Sequence, residues 1–201
     1  LREGCKVFGG GSNIEEASAP VYLEEAGGIG MFGVSYMAEC IPATATEPGI
    51  FRWDDLEYIE KRIKEIKSKC RWCIVVAHGG EEFTSLPSPY TRDRYLKFLE
   101  LGADVVVGHH PHVPENYELF DDGKAIFYSL GNFSFGGNHF PRDLDSALVQ
   151  LEVIRDENGR ISLGELTLIP VSISSIPTYN NYQPIPYEPG TKEYDRTLSK
   201  L

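Results

Sequence analysis

Positive charge is what this sequence lacks most. Among its 201 residues, 19 Lys and Arg stand against 30 Asp and Glu, a net charge of −11, and the basic residues gather only around Lys61 to Lys69. Nucleic acid and anionic membrane are therefore poor partners, because both are held by phosphate-neutralising cations. Long apolar runs are missing too. No stretch is long enough to cross a bilayer, and the N-terminus has no charged head followed by an apolar stretch and a cleavage site, so the chain as it stands reads as soluble. Its first residue is Leu1 rather than the Met of a translation start, which points to a portion of something longer.

Cysteine is sparse as well: Cys5, Cys40, Cys70 and Cys73. Only Cys70-Arg71-Trp72-Cys73 has a suggestive spacing. A zinc site would need a second ligand pair, and a redox pair wants a strand-to-helix turn where the helix N-terminus lowers a thiol pKa. Here the motif follows a helix and opens a strand, so the two thiols are read as small, semi-apolar packing residues.

What is present is the mix of one globular domain, 41% hydrophobic with 20 Gly and 13 Pro. Gly9-Gly10-Gly11-Ser12-Asn13-Ile14-Glu15-Glu16 predicts a turn into a short helix, Asn13 capping it and Glu16 closing a capping box. Val21 to Glu25, the turn Ala26-Gly27-Gly28 and Ile29 to Ser35 predict strand, turn and strand. A Pro-containing loop, Pro42 to Pro48, follows. Asp54 to Ser68 predicts an amphipathic helix, with Leu56, Ile59, Ile63 and Ile66 at steps of three and four and its basic residues on a solvated face. Cys73 to Ala77 is a short apolar strand ending at His78, expected to be buried on both faces. Arg92 to Leu101 predicts a second helix capped by Gly102, and Asp104 to Val107 a strand ending at Gly108 and His109. Two hairpins follow, Tyr117 to Phe120 with Ala125 to Leu130, and Ser146 to Ile154 with Arg160 to Ile169. Residues 174–201 read as a wrapping tail with a short helix from Thr191. The fold class is α/β, in mixed α+β layers.

Four of the five histidines sit at two strand ends: His78 after one strand, and His109, His110 and His112 after the next. Open α/β sheets bind ligands at the carboxyl ends of their strands, so neighbouring parallel strands would bring these imidazoles to one rim. The extended X-Pro segment in His110-Pro111-His112 leaves its two side chains free to diverge toward two adjacent ions. Imidazole suits several first-row metals, and Glu81 and Glu82 lie close in sequence to His78. The plain alternative is a set of hydrogen-bonded turn residues.

Three blocks carry a family resemblance: His78-Gly79-Gly80-Glu81-Glu82-Phe83; Gly102-Ala103-Asp104-Val105-Val106-Val107-Gly108-His109-His110-Pro111-His112-Val113-Pro114; and Tyr128-Ser129-Leu130-Gly131-Asn132-Phe133. In content, order and spacing they resemble the CapA family of bacterial poly-γ-glutamate capsule synthesis proteins, a branch of the calcineurin-like metallophosphoesterase superfamily. Gly9 to Ala17 resembles that family's Gly-rich turn and helix start. The resemblance implies metal ligation by His78, His110 and His112, with His109 touching a ligand rather than the metal. It implies a catalytic or metal contact for Glu82, and for Asn132 a role in orienting the substrate or a ligand imidazole. His139 matches no block.

The resemblance also implies the C-terminal part of a four-layer αββα sandwich, with residues 1–201 one domain whose N-terminal half is absent. That half would bring the aspartates, the bridging carboxylate and an Asn-His pair, since three imidazoles cannot complete two metal shells. Two divalent ions, Mn, Zn or Fe, are implied in the full-length protein, with a phosphoester or anionic polymer as substrate and capsule-assembly proteins as partners. An N-terminal export signal or membrane anchor would place the protein outside the cytoplasm. Two functions follow: a dinuclear phosphoesterase-type hydrolase acting by in-line displacement, or a non-hydrolytic component binding an anionic capsule polymer.

Overall fold

The computed structural model describes residues 6–23, 28–37, 40–135, 138–157 and 161–201. Cys5 and most of the turn expected at Ala26-Gly27-Gly28 lie outside them. The chain divides into two compact units that interleave in sequence. The first is Leu1–Gly79, Pro89–Gly108 and Leu119–Ile126; the second is Gly80–Ser88, His109–Glu118 and Phe127–Leu201.

The first unit opens with β1 (Gly10–Gly11) and α1 (Ile14–Ala17). The predicted cap forms: the Glu16 amide donates to Asn13 Oδ1 at 3.0 Å, and the Glu16 carboxylate reaches back to the Ser12 amide at 2.8 Å. β2 (Val21–Leu23) pairs antiparallel with β3 (Ile29–Ser35). The loop after it returns as β4 (Gly49–Ile50), antiparallel to β1. Helix α2 (Leu56–Lys69) is capped by Asp55, whose side chain accepts from the Tyr58 amide. Strand β5 (Trp72–His78) runs parallel to β3, helix α3 (Pro89–Glu100) follows, and β6 (Val105–His109) ends at the second histidine corner. Gly102 sits after α3 at a φ of 112°, the left-handed conformation that ends a helix there.

The apolar stripe of α2 works as predicted: Ile59, Ile63 and Ile66 are buried, each removing apolar surface worth about 2 kcal/mol. Ile66 lies against Gly30 of β3, where an added Cβ would come within 2.5 Å of its side chain. The solvated-face reading of the basic residues holds for Lys61, Lys64 and Lys69 and fails for Arg62. Arg62 is only 7% exposed. It donates to Ser18 Oγ and Glu65 and pairs with Glu15 of α1, so its charge is compensated inside the packing. The expectation for β5 is also corrected. Cys73, Val75 and Ala77 are buried, while Ile74 and Val76 on the alternate face are only half-buried, because α2 covers one side of the strand. Cys70 caps α2 and Cys73 is a free, buried thiol whose pKa burial pushes up to about 12, as packing residues would be.

A hairpin of β7 (Pro114–Leu119) and β8 (Ala125–Leu130) forms as predicted, closed by the Gly123 amide donating to Phe120. In the first unit the hydrogen-bonded order is β2-β3-β5-β6-β8, with β8 entering by its first two residues. In the second, β8 continues beside β7. The second unit then builds a long antiparallel ribbon from β9 (Asp145–Arg155) and β10 (Ile161–Ser172), with a register shift between Leu163 and Leu166. The ribbon extends past the predicted hairpin at its open end, where Ser172 pairs with Asp145. β11 (Ile185–Pro186) adds to β10, and α4 (Lys192–Leu198) is capped by Thr191. The buried Asp145 carboxylate holds this end together, accepting from Arg196 of α4, Lys200 and Tyr187.

Candidate metal centre

The second unit gathers three chemistry-bearing side chains. One ligand atom from each of Glu82, His110 and His112 lies within 4.8 Å of the others. Backbone conformation makes this possible. His110 and His112 have φ of 111° and 62°, and Phe83 has 60°, so three of these loop residues sit in the left-handed region at a cost of about 1 to 3 kcal/mol each. The buried Pro111 between the two histidines accepts a 2.8 Å hydrogen bond from the Phe83 amide, which ties the loop carrying Glu82 to the histidine corner. The expected divergence of His110 and His112 is not what this corner does. With His110 at positive φ rather than extended, the two ring centroids lie 5.7 Å apart.

The orientation of His112 is set by Asn132. The Asn132 amide nitrogen donates to the His112 carbonyl at 3.2 Å, which assigns its Oδ1 as the acceptor facing His112 Nδ1 at 2.8 Å. His112 Nδ1 therefore carries a proton, and Nε2 is the nitrogen that faces Glu82, whose Oε1 is 3.9 Å away. Asn132 itself is held in the Tyr128 to Phe133 block. Ser129 Oγ donates to the Val113 carbonyl at 2.7 Å, and Ser146 Oγ donates to the Leu130 carbonyl at 2.8 Å. Between them Gly131 turns at a φ of 78°, where an added Cβ would lie 2.9 Å from the Asp145 carbonyl oxygen. Only glycine is comfortable there.

Aromatic rings flank the imidazole. Phe83 stacks on His112 with centroids 5.8 Å apart, and Phe135 packs against it at 4.8 Å. The Arg142 guanidinium lies 4.5 Å from the centroid of the Phe83 ring. Beneath the Glu82 loop, Thr84 Oγ1 lies 2.9 Å from Glu115, a carboxyl only 2% exposed. Burial pushes the Glu115 pKa up to about 7; the Thr84 hydrogen bond opposes the rise and the Glu81 charge adds to it.

Of the residues singled out from the sequence, Glu82, His110, His112 and Asn132 come together in this unit. His109 closes β6, with its pKa lowered by burial, and is not one of the three clustered donors. His78 ends β5, exposed, in the first unit. His139 is exposed and touches the Tyr182 ring. Sequence reasoning missed Arg142, Phe135 and Glu115. Nothing in the spacing marks them, because each reaches the corner through the fold alone.

A divalent first-row cation suits this donor set. Two imidazoles and one carboxylate converge, one imidazole has its tautomer fixed by the amide behind it, and the strained corner is pinned by hydrogen bonds.

The fold is a mixed α/β arrangement that carries this candidate His and Glu metal centre. Residues 1–137 match the family described as bacterial capsule synthesis protein PGA_cap, and the chain belongs to that family. It is 30% identical over 183 residues to the PGA biosynthesis protein CapA of Bacillus subtilis (strain 168), covering 87% of this chain and 47% of that protein. It is 34% identical over 172 residues to the capsule biosynthesis protein CapA of Bacillus anthracis, covering 82% of this chain and 40% of that one. The chain thus spans less than half the length of these curated relatives. A Staphylococcus aureus crystal structure, described as a 5′-nucleotidase in complex with alpha-ketoglutarate, superposes with a TM-score of 0.52 at 16% identity. The match covers 81% of this chain and 31% of that one, a likeness of fold alone. No helix among the described residues is long and apolar enough to cross a membrane.

Proposed function

We propose that this chain carries part of the divalent-metal centre of a phosphoester-cleaving hydrolase of capsule poly-γ-glutamate biosynthesis. The observation that carries the reading is the convergence of Glu82, His110 and His112 with His112 Nε2 freed by Asn132. Glu82, His110 and His112 would hold one cation. A bound divalent ion would act as a Lewis acid on a phosphoryl oxygen and lower the pKa of water. A centre of two such ions, Mn, Zn or Fe, needs donors beyond these three.

The chain's own residues do the positioning. Asn132 fixes which nitrogen of His112 faces the cluster, and Pro111 and Phe83 lock the two loops by a backbone hydrogen bond. Phe83 and Phe135 pack against the imidazole and hold the ring in place beside the cluster. Glu82, about half exposed, lies where it can contact either a cation or a substrate proton.

The test is hydrolysis of bis(p-nitrophenyl) phosphate by the full-length protein with Mn added. The reading expects turnover that falls to background in His110→Ala and survives in His139→Ala. Turnover unaffected by His110→Ala, or no turnover with Mn, Zn or Fe, would contradict it.

A further inference from the structure

Arg142 is an exposed cation of the second unit that lies over an aromatic ring. Its guanidinium has no carboxylate partner among the described residues, and its recorded contact is the Phe83 ring, 4.5 Å from the centroid. The reason lies in its own segment. The two nearest carboxylates in sequence, Asp143 and Asp145, are both taken: Lys200 holds Asp143, and Arg196 and Lys200 hold Asp145. The side chain is not left loose, because the ring it lies over is anchored. Phe83 adopts a φ of 60°, its amide is bonded to Pro111, and its ring stacks on the candidate ligand His112.

Stacking on an aromatic ring leaves the in-plane N–H donors of a guanidinium available, and their fork matches the two oxygens of a carboxylate or phosphate. One arginine therefore points its unused hydrogen-bonding capacity to the surroundings of a ring that itself touches the metal centre. We propose that Arg142 is a specificity-determining residue that binds a second oxyanion, phosphate or carboxylate, carried by the substrate beyond the group at the metal centre. The substrate class is then a phosphoester bearing at least one further anionic group. This deepens the hydrolase reading and rests on it for the position of the first group.

The experiment separates the two ideas by measuring binding before turnover. Calorimetric titration of the Mn-loaded full-length protein compares phenylphosphonate, with one anionic group, to 4-carboxyphenylphosphonate and 1,4-phenylenebisphosphonate, with two. Wild type is expected to favour the two doubly anionic ligands by roughly ten- to a hundredfold, the range of a charge-assisted hydrogen-bonded pair. Arg142→Ala should abolish that preference while leaving phenylphosphonate affinity within about twofold, and Arg142→Lys should restore part of it. A preference for only one of the two assigns the oxyanion as carboxylate or phosphate. Turnover of the matching phosphate esters should show the same effect in KM with kcat little changed. Equal affinity of wild type for all three ligands, no binding of any, or an Arg142→Ala variant that keeps the preference would overturn the proposal. If the ligands bind as expected but no ester is hydrolysed, the hydrolase reading fails and the Arg142 assignment stands.

Discussion

Asn132 Oδ1 accepts the Nδ1 proton of His112 at 2.8 Å, and the same amide donates to the His112 carbonyl at 3.2 Å. Two hydrogen bonds from one side chain fix both the ring and the backbone of a candidate ligand. Removing such an outer partner costs metal affinity without removing a ligand, typically ten- to a hundredfold. Asn132→Leu is therefore expected to weaken Mn or Zn binding by about that factor in competition with a chelating dye. Asn132→Asp keeps the acceptor for Nδ1 but loses the donor to the His112 carbonyl, so it should recover only part of that loss. Equal affinity in all three proteins would show that Asn132 is only a turn amide.

Glu115 gives a pH signature. Its carboxyl is raised by burial from 4.5 to about 7. A raised acid favours folding while protonated: its stability contribution is complete below about 4.5, is lost as pH climbs through about 7, and then levels off. The total is on the order of 3 kcal/mol. Glu115→Gln does not titrate, so its stability relative to wild type should rise by about that amount between about pH 4.5 and about pH 8 in urea unfolding. A constant difference across that window would mean that Glu115 ionises normally.

Asp145 predicts the opposite sign. Burial works against its charge, yet hydrogen bonds from Arg196 and Lys200 hold its pKa at about 2. Its contribution is present above the usual 3.8 and is lost as pH falls through about 2. Asp145→Asn leaves Arg196 and Lys200 without their shared carboxylate. Breaking a buried pair costs several kcal/mol; because Arg196 is half exposed and can regain water, about 3 kcal/mol is expected. Chemical unfolding near pH 7 measures it, and a loss below about 1 kcal/mol would contradict the role given to this network.

Much of the fold was legible because it rests on short-range patterns. The α2 stripe, the Asn13 cap, the Gly102 stop and the Asp121-Asp122-Gly123 hairpin are each set by residues within a few positions of one another. The site was legible in part. His110, His112 and Glu82 were visible as strand-end groups, and Asn132 as a turn amide in a block that carries the family resemblance. Their convergence was not, because it depends on positive φ at His112 and at His110, the latter a residue before proline that is expected to be extended. Arg62 misled the pattern for a related reason: its burial depends on Glu15 and Ser18, more than forty positions away. Arg142 and Phe135 carry no sequence signal at all, since each acquires its place only when the second unit is folded.

The central claim is that Glu82, His110 and His112 hold one cation. Co(II) titration of the full-length protein, followed by visible absorption of the bound ion, tests it directly. The account predicts a ligand-field spectrum that is lost or strongly changed in His110→Ala, His112→Ala and Glu82→Ala, and that is unchanged in His139→Ala. A spectrum identical to wild type in the first three variants would place any bound cation elsewhere and contradict the account.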